Sequence, residues 1–335
     1  MTRYVIIGAG AVGASLAAQF ALSGIDYVLV GRGAHTKHIK EHGLTFRRPD
    51  GTRQVELSIF DLSEPPALRQ GDILLLTVKS QDAASALAFW SWQAVTEATL
   101  AASSLPVVTF QNGLATEAFA LRTFARVYGA SIMTPARFTE TGKIAVAGDP
   151  YVGIVTIGRF PEGRDDVSDK IAADLNNAGY IAETTADIRR WKAAKLLHNV
   201  RNVLELFEGD AHLRDKISAS LVEEAGRALS AAGYDVASPS ERSIDISKWR
   251  VAPDSGISAG QQSTWQSFVR GASSEVDFLN GEVVLLGRLH GVPTPYNAAV
   301  QILAGQLALK GAFTEPLPLH AIATLTDRNV PSSAG

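Results

Sequence analysis

An unbroken apolar run at residues 4–7 stops at Gly8, and apolar residues at helical spacing resume over residues 14–20. Strand, glycine turn and helix are the elements this pattern predicts. A second strand-length run follows at residues 26–30, and residues 37–42 read as a short helix stopped by Gly43. Strand-like stretches at 44–47 and 54–57 flank Pro49-Asp50-Gly51, the signature of a hairpin. Residues 71–79 hold an unbroken apolar run, as a buried parallel strand does. A helix at 84–92 and a strand at 106–110 follow. Further strands are expected at 128–133, 142–146, 152–158 and 181–184, with a helix at 168–177. From about residue 187 the strand-like runs stop. Helical spacing takes over at 188–207, 217–232, 263–269, 275–291 and 295–309. The pattern therefore predicts an α/β fold in two parts: an N-terminal Rossmann-type domain of alternating strands and helices over residues 1–186 and a C-terminal all-helical domain over residues 187–335.

The first turn spells Gly8-Ala9-Gly10-Ala11-Val12-Gly13. In a Gly-x-Gly-x-x-Gly turn, Gly8 permits the tight bend, Gly10 lets the backbone approach a pyrophosphate, and Gly13 lets the helix sit close to the strand. The helix start, with Ala11 and Val12 inside the motif, turns N–H groups and a partial positive charge towards the phosphates. The second strand ends in Val30-Gly31-Arg32-Gly33. NAD-binding folds place Asp or Glu at that point to accept hydrogen bonds from the ribose. Here an arginine stands instead, and a planar guanidinium suits a 2′-phosphate. NADP(H) is the expected cofactor, a solvated loop arginine being the alternative. His35 and Lys37 would add positive potential. Ligands of open α/β sheets bind beyond the carboxyl ends of the strands. Lys79 and Gln111-Asn112-Gly113 should meet the glycine turn there.

Composition narrows the function. At 335 residues the chain is long enough for two domains. A formal charge of -3 without a basic stripe argues against a nucleic-acid partner. The chain has no cysteine, which removes disulfides, thiolate metal sites and cysteine nucleophiles, and fits a reducing cytoplasm. A strand at the very start leaves no room for a signal peptide, and no apolar run is long enough to span a membrane. No His/Asp/Glu spacing suits a metal, and no nucleophile elbow is present.

Two stretches remain as chemistry. In residues 190–202, Lys195 and Asn199 are four apart and share a helical face, with Lys192 close to it. A lysine desolvated beside another cation and an oxidised nicotinamide can donate a proton near neutral pH. On spacing alone, a solvated surface lysine is the simpler reading, and the lone His198 is no ligand. In residues 261–281, Glu275 and Asp277 suit the first turn of a helix capped by Ser274, which by itself explains both acids.

Taken together, the chain resembles the ketopantoate reductases (2-dehydropantoate 2-reductases). The likeness runs through Gly8-x-Gly10-x-x-Gly13, Val78-Lys79-Ser80, Gln111-Asn112-Gly113 and Lys195-Leu196-Leu197-His198-Asn199. It continues through Ser263, Gln266, Glu275-Val276-Asp277-Phe278-Leu279-Asn280-Gly281 and Gly291-Val292-Pro293-Thr294-Pro295. In that family a Rossmann domain binds NADPH and a helical domain closes over a 2-keto acid. The resemblance implies that Lys195 is the general acid and that Glu275 orients the substrate hydroxyl or the lysine. It implies that Asn112, Asn199 and Ser263 hold substrate. It also places Arg32 and Lys79 at the 2′-phosphate, with Gln111 and Asn112 beside the cofactor. The implied reaction is NADPH-dependent reduction of ketopantoate, or a related branched 2-keto acid, in pantothenate biosynthesis in the cytoplasm. A homodimer is left open. Val203 and Leu204 stand where the family often has Asn then Pro, and Ser267 stands where an acid is usual. Both departures lie on the expected substrate side and favour another branched 2-keto acid over ketopantoate. The alternative from another class is a non-catalytic NADP(H)-binding sensor of the same fold. The retained Lys195 and Glu275 argue against it.

Overall fold

The computed structural model describes residues 2–96, 99–253, 263–269, 275–311 and 315–328. The chain forms two compact units. One comprises Met1–Gln111, Thr116–Arg189 and Pro239–Ser258; the other comprises Asn112–Ala115, Arg190–Ser238 and Ala259–Gly335.

The first unit is built on an eight-stranded sheet. Its strands in chain order are β1 (Tyr4–Ile7), β2 (Tyr27–Gly31), β3 (Ile59–Asp61), β4 (Ile73–Leu76), β5 (Val107–Thr109), β6 (Val127–Met133), β7 (Ile154–Arg159) and β8 (Ile181–Thr184). Across the sheet the order is β8-β7-β6-β5-β4-β1-β2-β3. From β3 to β6 every neighbouring pair is parallel, which is the Rossmann arrangement. β7 runs antiparallel to β6, and β8 parallel to β7. The unbroken apolar runs follow from burial on both faces. Tyr4, Ile6, Tyr27, Leu29, Ile73 and Leu75 enter one core, while Val5, Ile7, Val28, Val30, Leu74 and Leu76 enter the core on the opposite face.

The expected hairpin forms from Leu44–Arg48 and Gly51–Val55, its second arm starting earlier than residue 54 because Arg48 pairs with Gly51. It joins Ala136–Glu140 and Lys143–Val146 in a four-stranded sheet, the first of these being a strand the pattern had not shown. Phe46, Val55, Ile144 and Val146 of this sheet bury into the core shared with the Ala11–Leu22 helix. The helix expected from residue 168 starts at Asp166. Asp165 accepts from the Ser168 N–H at 3.1 Å, and the Ser168 hydroxyl accepts from the Asp165 N–H at 2.9 Å, a reciprocal cap. Residues 239–258, which lie beyond the expected boundary near 186, belong to the first unit. Arg250–Val251 pairs antiparallel with Gly148–Asp149, and Arg242 donates to the buried Glu183 at 2.7 Å.

Among the described residues the second unit is helical apart from a two-stranded parallel pairing of Phe207–Glu208 with Leu317–Pro318. Its core is lined by Ala211–Ala231, Val276–His290, Pro295–Leu309 and the end of Ile188–Asn199. The helix expected through residue 207 ends at Asn199. The Val200 carbonyl accepts from Asn280 Nδ2 at 2.9 Å, while the Leu204 N–H donates to Arg201 at 3.0 Å and tightens the chain into a 3₁₀ turn, Asn202–Leu206. Gly291 ends the Val276–His290 helix in the left-handed region, and Pro295 opens the next helix.

Candidate active site

In the first unit the glycine turn has three distinct demands. Gly8 has φ +117, and a Cβ there would stand 2.8 Å from the Val78 nitrogen. A Cβ on Gly13 would stand 1.9 Å from the Gly8 oxygen. Packing alone therefore requires glycine at both positions. Gly10 is different. It caps Ala11–Leu22 and has nothing within 4 Å of where a Cβ would stand. No side chain caps this helix, and no acid stands in its first turn. An open backbone at an uncapped helix start fits the pyrophosphate of a dinucleotide.

Thr77, unremarked in the sequence, secures the turn. It is buried, and its hydroxyl lies 2.9 Å from both the Ile7 and the Gly8 carbonyls. A Cβ on Gly13 would also meet this hydroxyl, at 2.5 Å. The signal was a single hydroxyl closing an apolar strand. Lys79 follows as the N-cap residue of the Ser80–Ser91 helix. Gln111 is buried and donates from Nε2 to the carbonyls of Leu76 at 2.9 Å and Val78 at 2.7 Å, which ties the chain after β5 to the end of β4. Arg32 is the N-cap residue of Gly33–His42, and its guanidinium reaches Asp82 at 3.3 Å.

His35 does not add positive potential. Its Nδ1 accepts the Gly142 N–H at 2.9 Å, and its ring lies edge-on to Phe138 at 4.5 Å. Burial, then the charge of His38, lowers its pKa to about 4, so the ring is neutral at pH 7.

In the second unit two expected residues meet. Asn199, buried at the end of Ile188–Asn199, donates from Nδ2 to Asn112 Oδ1 at 3.0 Å. Gly113, at φ +84, brings the chain against the Val276–His290 helix, where a Cβ would stand 2.4 Å from the Phe278 carbonyl. Buried Glu275 is the N-cap residue of that helix, and its carbonyl accepts from the Phe278 N–H at 2.9 Å. Asn280 of the same helix holds Val200, one residue past Asn199. Lys195 is half-buried one turn before Asn199, whereas Lys192 is buried. His198 is lowered by burial first, and then by the charges of Lys195 and Arg201. Asp277 accepts from Gln301 at 2.7 Å and so serves the helix hairpin.

Ser263 opens the Ser263–Val269 helix, but its side chain lies outside the described residues, as does Ser274. Gln266 and Ser267 of this helix are buried, and the helix packs on the Asn202–Leu206 turn. Val203 is buried there within the apolar core. The two departures from the family pattern thus fall on elements in contact. Among the described residues no His/Asp/Glu group could hold a metal ion, and no helix is long and apolar enough to cross a membrane.

Residues 4–162 match the family described as ketopantoate reductase PanE/ApbA, and residues 188–308 match its C-terminal part. A 2-dehydropantoate 2-reductase of Pyrococcus horikoshii is 26% identical over 302 residues, covering 88% of this chain and 94% of the relative. One of Halobacterium salinarum is 27% identical over 305 residues, with the same coverage of 88% and 94%. Two solved structures share the fold. A ketopantoate reductase of Ralstonia eutropha has a TM-score of 0.73 at 24% identity, covering 92% of this chain and 99% of that one. A D-mandelate dehydrogenase solved with NADH and anilino(oxo)acetate has a TM-score of 0.76 at 21% identity, with the same coverage of 92% and 99%. With its glycine turn, its parallel sheet order and both family matches in agreement, the chain belongs to the ketopantoate reductases, oxidoreductases that work with a nicotinamide dinucleotide.

Proposed function

We propose that this chain reduces a 2-keto acid to the 2-hydroxy acid with NADPH, and that Lys195 donates the proton. The observation that carries this reading is the hydrogen bond between Asn112 and buried Asn199, with Lys195 one turn away on the Asn199 helix. The presence of both Lys195 and Glu275 argues against a non-catalytic sensor, which needs no proton donor. In this reading the first unit, to which Pro239–Ser258 returns, binds the dinucleotide, and the second unit carries the substrate and catalytic residues. Gly8, Gly10, Ala11, Val12, Gly13, Arg32 and Lys79 serve the cofactor. Gln111 shapes the cofactor edge by holding Leu76 and Val78.

NADPH, when bound, would supply the hydride for the ketone carbon. The protein manages the charge that then develops on oxygen. The Lys195 ammonium stabilises that oxyanion and gives up its proton to it. Glu275 orients the new hydroxyl or the ammonium. The fixed Asn112–Asn199 pair, with Ser263, holds the substrate in position, so that little reorganisation accompanies reaction. Val203 takes the place of an amide and Ser267 that of an acid in the family pattern, so the substrate side is less polar, which favours a branched 2-keto acid other than ketopantoate. The setting is cytoplasmic, a small 2-keto acid is the partner, and a homodimer is compatible.

The test is NADPH oxidation against ketopantoate and a panel of branched, linear and aromatic 2-keto acids. A branched 2-keto acid is expected to give the highest kcat/KM, about 10⁴ M⁻¹s⁻¹ or more. NADPH binding without turnover of any panel member would favour the sensor.

A further inference from the structure

From its place at the end of β2, Arg32 is expected to meet the 2′-phosphate of the cofactor. The structure gives it a second partner. Asp82, in the first turn of the Ser80–Ser91 helix, accepts from Arg32 Nη2 at 3.3 Å. The two side chains are 74% and 43% exposed, so the pair is no part of a packed core. Its place is informative. Arg32 directly follows β2, and Asp82 follows β4 by way of Lys79. In the sheet, β1 lies between β2 and β4. Strands stand about 4.8 Å apart, so a contact joining the ends of β2 and β4 spans roughly 10 Å. It crosses the carboxyl end of β1, where the glycine turn sits.

A dinucleotide seated on that turn runs its adenosine ribose towards the end of β2. The ribose must therefore meet the Arg32–Asp82 pair. The geometry points to Asp82 as a residue that sets cofactor preference: its carboxylate competes with the 2′-phosphate for Arg32, and accepts from the ribose 2′-hydroxyl when the phosphate is missing. NAD-binding folds supply that acceptor from the end of the second strand. Here it comes from the helix after β4, which is why the sequence rule for cofactor choice does not register it. One site thus holds a reader of each cofactor. NADPH remains the better ligand, because the phosphate is a stronger partner for a guanidinium than a single exposed carboxylate is. The margin over NADH is narrower than Arg32 alone would give. The inference rests on the dinucleotide reading proposed above.

An acid in the first turn of a helix also stabilises the helix dipole, with no regard to cofactor. Binding separates the two roles. The dissociation constants of NADPH and NADH are measured by nicotinamide fluorescence on the full chain, at low salt and at about 0.5 M salt. Wild type, Asp82→Asn, Asp82→Glu and Arg32→Ala are compared, with melting temperature as the check on folding. Asp82→Asn is expected to tighten NADPH about two- to fivefold at low salt, the range an exposed ion pair supplies. The same variant should weaken NADH, and Asp82→Glu should stay close to wild type. The gain for NADPH should shrink at high salt. An NADPH/NADH ratio unchanged in Asp82→Asn, with Arg32→Ala still losing NADPH, would show Asp82 to be a helix-start acid only. Equal losses of both cofactors in Arg32→Ala would remove Arg32 as the phosphate reader and the competition with it. Wild type binding neither cofactor would overturn the dinucleotide reading itself, and this inference too.

Discussion

Lys195 stands one turn before Asn199, whose amide is fixed on Asn112, and that position determines how its loss should read out. Lys195→Ala is expected to lower kcat about 10²- to 10⁴-fold, the usual contribution of a general acid. The dissociation constant of NADPH should hardly move, because the glycine turn belongs to the other unit. A fall of wild-type activity at alkaline pH, as expected for an ammonium donor, should be absent in this variant. Lys192 behaves differently, being buried. Lys192→Ala should lower the melting temperature while kcat per folded molecule stays within about threefold, as for a group outside the chemistry. Single-turnover rates and thermal melts on both variants decide the matter. A larger kinetic loss in Lys192→Ala than in Lys195→Ala would move the proton donor to the neighbouring lysine. The motif around Lys195 was legible from sequence, but the burial of Lys192 was not. Spacing puts both lysines near one face, and only packing tells them apart.

At the scale of elements, what could be read in advance was local, and what could not was made by distant partners. The glycine turn is local. Its strand, its helix and its three glycines stand within a few residues, and each glycine answers to geometry that any such turn requires. The end of the Ile188–Asn199 helix is not local. It stops because Asn280, 80 residues away, takes the Val200 carbonyl. No breaker in the sequence marks that stop. The turn itself yields a prediction that separates fold from function. Gly13→Ala forces a Cβ to 1.9 Å from the Gly8 oxygen, so the protein should be destabilised by several kcal/mol, or fail to fold. Gly10→Ala meets nothing within 4 Å, and its φ of -77 suits alanine. This variant should melt within a few degrees of wild type yet bind NADPH at least about tenfold more weakly, since a methyl group intrudes where the backbone meets the pyrophosphate. Tight NADPH binding by Gly10→Ala would place the phosphates elsewhere.

Across the whole molecule, two units and their connections had to be inferred from a change of period near residue 187. The change was visible, but the return of residues 239–258 to the first unit was not, because Arg242 and Ser243 reach Glu183 across some sixty residues of chain. His35 shows how such long-range contact alters chemistry. From sequence it counts as a cation beside Arg32. In the fold it joins the Gly33–His42 helix to the Gly142 backbone, 107 residues on, and its ring is pushed down to about 4. The unfolded chain, near 6.5, takes up the proton first. Stability is therefore full above about pH 6.5 and is lost as pH falls towards 4. The ceiling for such a shift is roughly 3 kcal/mol, and about 1–2 kcal/mol is expected once the protonated ring relaxes towards water. His35→Gln keeps an acceptor for the Gly142 N–H without a titrating group. Urea unfolding of wild type and variant between pH 7 and 4.5 should show the wild type losing that much stability relative to the variant. Curves that stay parallel over this range would mean that the ring accepts its proton in place, and that the contact with Gly142 does not depend on its neutral form.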